Sequence, residues 1–403
     1  MFGSSRLLLA LGIPLVLSLP AAAANLTGFV TNGSGFGVGG VDIDLHDPVT
    51  GVKIPTQNDT TDVDGSFDII IGAGVYDVVF NAPQATRLVS LRLRSVNVVE
   101  LETDLGIVAL QPGALLIGQV VRQSSGTPVF MADTDIDLSL TGKRVVTPFD
   151  DTNASGNFSV VVPFGLVDLT IQPEIANQLV ARRIIGIQVS GDVNVGTLSL
   201  ESGFLVSGVT TFDGAPASGV DIDVFRASNG LQMPTPGVVS NGSGSYSLVL
   251  PAGTYDFEIS PGLGRARRHL FLENVVVSGP LTLNLPVPVS GGAGVEVQGG
   301  RLVLAGGLYE PEIFVLNETG VPFMIQALVQ VEFPAAGVIR DVLPPITTTL
   351  PAARRILSGS ARLRIPGGLA PRFRDVPLHF VVTLLDGTGQ AVIDADRTEF
   401  RVR

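Results

Sequence analysis

The chain has 403 residues, a formal net charge of −12 at pH 7 and no cysteine. The acidic balance excludes nucleic acid as a natural partner, because its phosphates would be repelled. The lack of cysteine excludes disulfides and thiol nucleophiles, and a chain of this length can build a sufficient core without them.

The N-terminus has the pattern of an export signal. Arg6 precedes an apolar run that ends in the small residues Ala21–Ala24, which suit signal-peptidase cleavage. We predict a signal peptide over 1–24. No later segment approaches the length needed to cross a bilayer, so we expect no membrane span after signal removal. The expected location is the periplasm, the cell surface or the medium of a bacterium.

Three stretches of the chain repeat at intervals of about 90 residues. TDVDGSFDIIIGAGVYDVVF (61–80) corresponds to TNASGNFSVVVPFGLVDLTI (152–171) and to SNGSGSYSLVLPAGTYDFEI (240–259). A period of this length is too long for a solenoid repeat and fits a small domain.

Apolar and polar residues alternate within each repeat, which is typical of half-buried antiparallel strands. In the third repeat we predict that Tyr255, Phe257 and Ile259 face the core. Asp256 and Glu258 are predicted to face outward. Turn residues recur every 8–12 residues, roughly as in a β-sandwich, and no segment has a capped helical period.

The motifs G-x-V, T-D-x-x-G-x-[FY] and P-A-G-x-Y-x-[VF]-x-[IF] together resemble the carboxypeptidase regulatory-like domain. That family is a transthyretin-like β-sandwich related to collagen-adhesin B-type repeats. The third repeat matches best, through Gly244, Tyr246, Pro251, Gly253 and Tyr255. The second repeat departs at Val167 and the first at Gly72. The resemblance implies a fold but no activity, because such modules accompany many unrelated proteins.

We therefore predict an all-β protein, a tandem array of three transthyretin-like β-sandwiches followed by an immunoglobulin/fibronectin-like β-sandwich. The last part lacks the repeat motif but contains alternating strands such as PLHFVVTLLD. After the signal peptide we define a first region (25–111), a second region (112–202), a third region (203–290) and a C-terminal region (291–403).

The sequence D-V-D-G at 62–65 is compatible with a calcium loop or with a turn. An EF-hand loop that begins at Asp62 would need glycine at Phe67 and an acid at Ala73. The equivalents of Asp62 are Asn153 and Asn241, which keep the ability to cap a turn but lose the charge. We predict a turn in all three places.

A second acidic pattern recurs in all three repeats, as Asp42/Asp44, Asp135/Asp137 and Asp221/Asp223. Residues two apart share one face of a strand, about 6.5 Å from each other. We favour a solvated strand face, paired with nearby arginines such as Arg183, and predict no metal and no cofactor. The alternative is a Ca²⁺ site at these aspartates.

Other features that could support chemistry are weaker. His46, His269 and His379 fall in different regions, and we expect each at a surface or strand end, with no catalytic role. Sugar-binding sites usually stack the sugar on exposed aromatic side chains, but the chain has no tryptophan. Tyr309 is the one tyrosine outside the repeat motif and so the one candidate for such stacking. The G-x-G-x-x-G at 35–40 precedes a strand rather than a helix, which excludes a dinucleotide site.

The segment 354–374 carries six arginines and no acid. Arg362 and Arg364 are expected to share a strand face. We favour a solvated face. The alternative is docking on the acidic repeats or on an anionic envelope polymer.

The expected function is that of an exported, non-enzymatic modular protein with a structural, adhesive or binding role at the bacterial envelope. Its expected partner is an envelope polysaccharide or another surface protein. The alternatives are a calcium- or carbohydrate-binding module protein and an accessory subunit of a secreted hydrolase.

Overall fold

The computed structural model describes residues 23–352, 356–367 and 374–403. These residues form β-strands and three single-turn 3₁₀ helices, Gln84–Thr86, Ile175–Asn177 and Pro334–Ala336. The predicted fold class, an all-β protein built of β-sandwiches, is confirmed.

The predicted signal peptide lies outside the described residues except at its end. Ala23 and Ala24 begin the first strand, and Ala24 is fully buried. Within the described part of the chain, no helix is long and apolar enough to cross a membrane.

The chain forms two compact units. Of the described residues, the first unit contains those up to Asn81 together with Arg92–Leu110, and the second contains Ala82–Leu91 and those from Gln111 onward. The boundaries predicted for the individual regions stay a prediction.

The first unit is built of two facing sheets. Its strands are β1 (Ala23–Asn32), β2 (Asp42–His46), β3 (Lys53–Ile54), β4 (Ser66–Gly72), β5 (Gly74–Asn81), β6 (Leu91–Val98) and β7 (Leu101–Leu110). The sheet orders are β4-β1-β7 and β3-β2-β5-β6. Phe67 of one sheet meets Phe80 of the other edge-to-face at 5.8 Å, because the alternating apolar residues of both sheets turn toward a shared core.

The second region repeats this arrangement inside the second unit. Its strands are β8 (Gly113–Arg122), β9 (Asp133–Leu138), β10 (Asn157–Pro163), β11 (Gly165–Gln172), β12 (Arg182–Val189) and β13 (Val193–Leu200). The sheet orders are β10-β8-β13 and β12-β11-β9. One core extends from Ala114 to Leu200.

The third region has the same plan. Its strands are β14 (Phe204–Phe212), β15 (Ala215–Pro216), β16 (Asp221–Arg226), β17 (Gln232–Met233), β18 (Ser245–Leu250), β19 (Gly253–Ser260), β20 (Leu270–Val277), β21 (Leu281–Thr282) and β22 (Leu285–Pro286). Tyr255, Phe257 and Ile259 are all fully buried, as their alternation predicts. In all three sandwiches the first strand has one antiparallel and one parallel neighbour. The antiparallel neighbour is the strand that follows the D-x-x-G-like turn, and the parallel neighbour lies at the end of the repeat.

The C-terminal region has a different topology. Its strands are β23 (Ala293–Gln298), β24 (Leu302–Val303), β25 (Leu308–Tyr309), β26 (Glu312–Asn317), β27 (Phe323–Phe333), β28 (Val338–Asp341), β29 (Ile346–Leu350), β30 (Ile356–Ser360), β31 (Leu363–Arg364), β32 (Leu378–Asp386) and β33 (Val392–Val402). The main sheet runs β24-β33-β32-β27-β28 and faces the sheet β23-β26-β30. Phe400 and Val402 of β33 are fully buried in the core between them.

The turns at the three D-x-x-G-like sequences fold alike. The glycine N–H bonds back to the residue three positions earlier, as from Gly244 to Asn241 at 2.8 Å. In the third region, Asn241 Oδ1 also accepts the N–H groups of Ser243 and Ser245. In the first unit this side-chain capping comes instead from Asp64, which accepts the Ser66 N–H.

The turn glycine is fixed by two constraints. Gly244 has φ of +73°, and a Cβ there would lie 2.6 Å from the Thr210 carbonyl oxygen and 3.0 Å from the Ala217 nitrogen. Gly242, two residues earlier in the same turn, has nothing within 4 Å of the equivalent position.

We expect Gly244→Ala to lower the free energy of unfolding by about 1–3 kcal/mol, since alanine must adopt left-handed backbone and displace neighbouring backbone. Gly242→Ala is the matched control and should change stability by less than about 1 kcal/mol. Urea unfolding followed by circular dichroism measures both. Equal effects of the two substitutions would contradict this account of the turn.

Candidate functional site

The three aspartate pairs have three different environments. In the first unit, Lys53 forms an ion pair with Asp44, and Asn81 donates to the other Asp44 oxygen at 2.9 Å. Burial, followed by the negative charge of Asp44, raises the pKa of Asp42. This pair is therefore neutralised locally by a lysine.

In the second region the pair is not on a solvated face. Asp137 is only 4% exposed. Arg144 contacts both Asp135 and Asp137, with its Nε 2.9 Å from Asp137 Oδ1. Arg301 of the C-terminal region donates to Asp137 Oδ2 at 3.0 Å. The expected solvated face is thus corrected, because another region covers this strand and supplies a cation. Burial raises the pKa of Asp137, whereas the charges of Arg301 and of the expected Arg183 lower it.

The third pair has no ion-pair partner among the described residues. Asp223 Oδ1 accepts a hydrogen bond from Gln232 at 2.7 Å. Burial, together with the charges of Asp221 and Glu258, raises the pKa of Asp223 to about 7. Whether any of the three pairs binds Ca²⁺ stays a prediction.

The third pair lies in an acidic cleft of about 890 Å³. Its walls come from the turn at 140–143, the third region and the C-terminal region. The acidic residues that line it are Asp221, Asp223, Glu296, Glu310, Glu312 and Asp396, and the basic ones are Lys143, Arg301 and Arg397. The excess of acids favours a cationic ligand.

Behind one wall of this cleft lies a buried polar cluster that sequence reasoning missed. Glu258, predicted to face outward, is only 2% exposed, because the C-terminal region covers its face of β19. Arg397 on β33 donates to Glu258 Oε2 at 2.8 Å. The guanidinium of Arg397 also lies 4.0 Å from the centre of the Phe225 ring.

His269 completes the cluster and lies at a strand end, immediately before β20, which is one of the two expected positions. It is nevertheless buried, at 7% exposure. Its Nδ1 lies 3.0 Å from Asp394 Oδ1, and its backbone N–H donates to the same oxygen. Glu258, His269 and Asp396 each offer one atom within 4.8 Å of the others, a geometry that could hold a metal ion.

The electrostatics of this cluster are strongly coupled. Burial opposes charge on the His269 ring, but the hydrogen bond with Asp394 and the surrounding carboxylates raise its pKa to about 9. Burial, and then the charge of Glu258, raise the pKa of Asp396 well above its usual value. Carboxylates this close cannot all stay charged without a cation or a shared proton.

Other sequence candidates lie elsewhere. Tyr309 is buried at 2% exposure and stacked on Phe400 at 4.2 Å, so it offers no surface for a sugar. Arg362 and Arg364 are exposed, in agreement with the favoured hypothesis of a solvated face, and Arg362 forms an ion pair with Glu310. Arg354, Arg355 and Arg372 lie outside the described residues.

His46 and His379 also have structural partners. His46 Nδ1 lies 3.0 Å from the Gly51 carbonyl in its own turn. His379 lies at the start of β32, a strand end as expected, but it is only 1% exposed. Its Nε2–H donates to the Gly230 carbonyl at 2.7 Å. A polar side chain at the end of a strand gives no sequence signal for such burial under another region.

No protein-family model matches the chain, and no curated protein is significantly similar to it. Similar solved structures include the Bacillus anthracis TIE protein, at 16% identity and a TM-score of 0.20 over 66% of this chain. The chain covers about half of that protein, 51%.

Two further solved structures are similar at the same level. A DUF3823 family protein from Bacteroides ovatus has 14% identity and a TM-score of 0.21, with 50% of this chain and 100% of that chain covered. A streptococcal ancillary pilin has 10% identity and a TM-score of 0.19, with coverages of 66% and 99%. At these TM-scores the similarity transfers no function.

We expect Arg301→Gln to lower the free energy of unfolding by about 1–3 kcal/mol, because it leaves a buried oxygen of Asp137 without its partner. The control is Arg362→Gln, whose side chain is 74% exposed in its pair with Glu310. It should cost less than about 1 kcal/mol. Urea unfolding measures both, and an Arg301 variant as stable as the wild type would contradict the importance of this contact.

Proposed function

We propose that this chain is an exported, non-enzymatic, modular β-sandwich protein with a structural, adhesive or binding role at the bacterial envelope. Its partner would be an envelope polysaccharide or another surface protein. The observation that carries the proposal is the set of buried polar contacts that join the second, third and C-terminal regions within the second unit.

Residues near both ends of the C-terminal region attach it to the second region. Arg403 Nη1 donates to the Gly186 carbonyl at 2.8 Å. The backbone N–H of Leu302 donates to the Ser139 carbonyl at 3.0 Å, next to the contact of Arg301 with Asp137. Backbone and charged side chains together fix this boundary.

The C-terminal region also holds the third region. His379 donates to the Gly230 carbonyl and packs edge-to-face on Phe225 at 5.1 Å. Glu399 accepts the backbone N–H of Gln232. Side chains from two strands, β32 and β33, therefore reach into the same neighbouring region.

These contacts support a structural role through their energetics. Removing one partner of a buried charged contact costs several kcal/mol, so sandwiches joined in this way keep one relative geometry. A fixed geometry suits a protein that presents a surface or spans a distance. Two histidine rings, which would be the first candidates for acid–base chemistry, make contacts within this framework: His269 with Asp394, and His379 with the Gly230 carbonyl.

We also propose that 25–111, 112–202 and 203–290 are copies of a carboxypeptidase regulatory-like module and that 291–403 is a sandwich of a different type. The shared strand order of the three and their repeated turns support this. The cation-binding alternative is favoured by one observation, the acidic cleft that contains Asp221 and Asp223.

We expect the purified protein to cosediment saturably with bacterial envelope fragments. Protease treatment of the fragments should abolish cosedimentation if the partner is a protein and leave it intact if the partner is a polysaccharide. When the full chain is expressed with a C-terminal tag, cell fractionation should find it outside the cytoplasm. Mass spectrometry of the purified protein should show that the leader has been removed.

A double variant, Arg362→Gln with Arg364→Gln, tests whether the exposed arginines at β31 contact the envelope polymer. Arg362 directly precedes this strand and Arg364 ends it. The variant should fold normally. Weaker cosedimentation than the wild type at low salt, where exposed charges are least screened, would assign the polymer contact to this strand. Failure of the wild type to cosediment, or its retention in the cytoplasm, would contradict the proposed role.

A further inference from the structure

We propose that Glu258, His269 and Asp396 bind a divalent transition-metal cation of the zinc type at the boundary of the third and C-terminal regions. Glu258 lies on β19, His269 immediately precedes β20, and Asp396 lies on β33. Their three ligand atoms lie within 4.8 Å of one another. The site therefore exists only when the two regions are in contact.

Unpartnered buried atoms point to a ligand at this position. His269 Nε2 and Glu258 Oε1 are buried and have no hydrogen-bond partner. Asp396 Oδ1 lies 3.9 Å from Nε2, which is too far for a hydrogen bond. Buried polar atoms without partners are costly, and one cation between them would satisfy both.

Asp394 prepares the histidine for coordination. Its Oδ1 lies 3.0 Å from His269 Nδ1, and its Oδ2 accepts the backbone N–H of Val295 at 3.0 Å. With the Nδ1 proton held by Asp394, a cation that displaces the proton on Nε2 would bind the lone pair there. Metal-ligating histidines generally have such a carboxylate on the far nitrogen, which fixes the tautomer and the ring orientation.

Both carboxylates are held in the same manner. Arg397 donates to Glu258 Oε2 at 2.8 Å, and the Val297 N–H donates to Asp396 Oδ2 at 2.5 Å. Each acid thus has one oxygen fixed by a donor of the protein, and the two carboxyl groups also lie within hydrogen-bond reach of each other. Three ligands with three fixed far atoms form an arranged site rather than a chance group of acids.

The donor set selects the cation. One imidazole nitrogen with two carboxylate oxygens suits zinc and similar first-row ions, whereas calcium prefers oxygen alone. Bonds of about 2.0–2.2 Å place tetrahedral ligands about 3.3–3.6 Å apart, so the three atoms would draw together slightly on binding. Asp396 also lines the acidic cleft, which gives the ion a path from solvent.

This inference goes beyond the proposed function and does not depend on an envelope partner. We expect chelator-treated, purified full chain to bind about one Zn²⁺ or Co²⁺ in calorimetric titration, with a thermal melt raised by several degrees. Bound Co²⁺ should show visible absorption bands of a four-coordinate ion, and Ca²⁺ should not bind at this site.

His269→Gln and Glu258→Gln should each weaken Zn²⁺ affinity at least tenfold, and Asp394→Asn by about tenfold with unchanged stoichiometry. Glu312→Gln is the matched control, since this acid of β26 lines the same cleft outside both the ligand set and the aspartate pairs, and it should keep the wild-type affinity. Circular dichroism checks folding. If His269→Gln does not fold, Asp396→Asn replaces it in the same titration.

Absence of saturable Zn²⁺ and Co²⁺ binding by the wild type would overturn the proposal. So would a folded ligand variant that binds with wild-type affinity. Neither result would bear on cosedimentation with the envelope, so the two proposals fail separately.

Discussion

The second unit depends on the pairing of charges that two sandwiches bury against each other. Arg397 on β33 is held between the buried carboxylate of Glu258 and the face of Phe225. A buried charge that loses its partner destabilises a protein by several kcal/mol, far more than a small shift of an apolar contact. The pairing therefore helps to fix the position of β33 relative to β19, and with it the positions of Asp394 and Asp396 around His269.

Much of the fold could be predicted from the sequence because each sandwich is determined locally. Period-two alternation identifies Tyr255, Phe257 and Ile259 as core residues, and they are fully buried. The positive φ of Gly244 is similarly implied by a polar turn sequence between two alternating runs. Such features depend on neighbours in sequence and recur in all three repeats.

The candidate site could not be predicted, because alternation says only which face turns away from a strand's own core. It does not say whether that face meets water or another region. Glu258 and Asp137 are charged residues on the outward face of their strands, and both are buried under the C-terminal region. The charged positions of β33 alternate with Phe400 and Val402 and give the pattern of a solvated strand, although they form an interface.

The aspartate pairs show how one motif acquires different electrostatic roles. Its position on the strand is common to all three sandwiches, but the neutralising groups come from parts of the chain that do not repeat. Lys53 serves the first pair, and Arg144 with Arg301 serves the second. The third pair has no ion pair among the described residues, and Asp223 takes its side-chain hydrogen bond from the neutral amide of Gln232. Burial raises the pKa of Asp223 to about 7, and both carboxyl groups line the cleft next to the cluster around His269. The repeat thus supplies the carboxylates, and the surroundings of each copy decide whether they stabilise the protein internally or remain available to a cation.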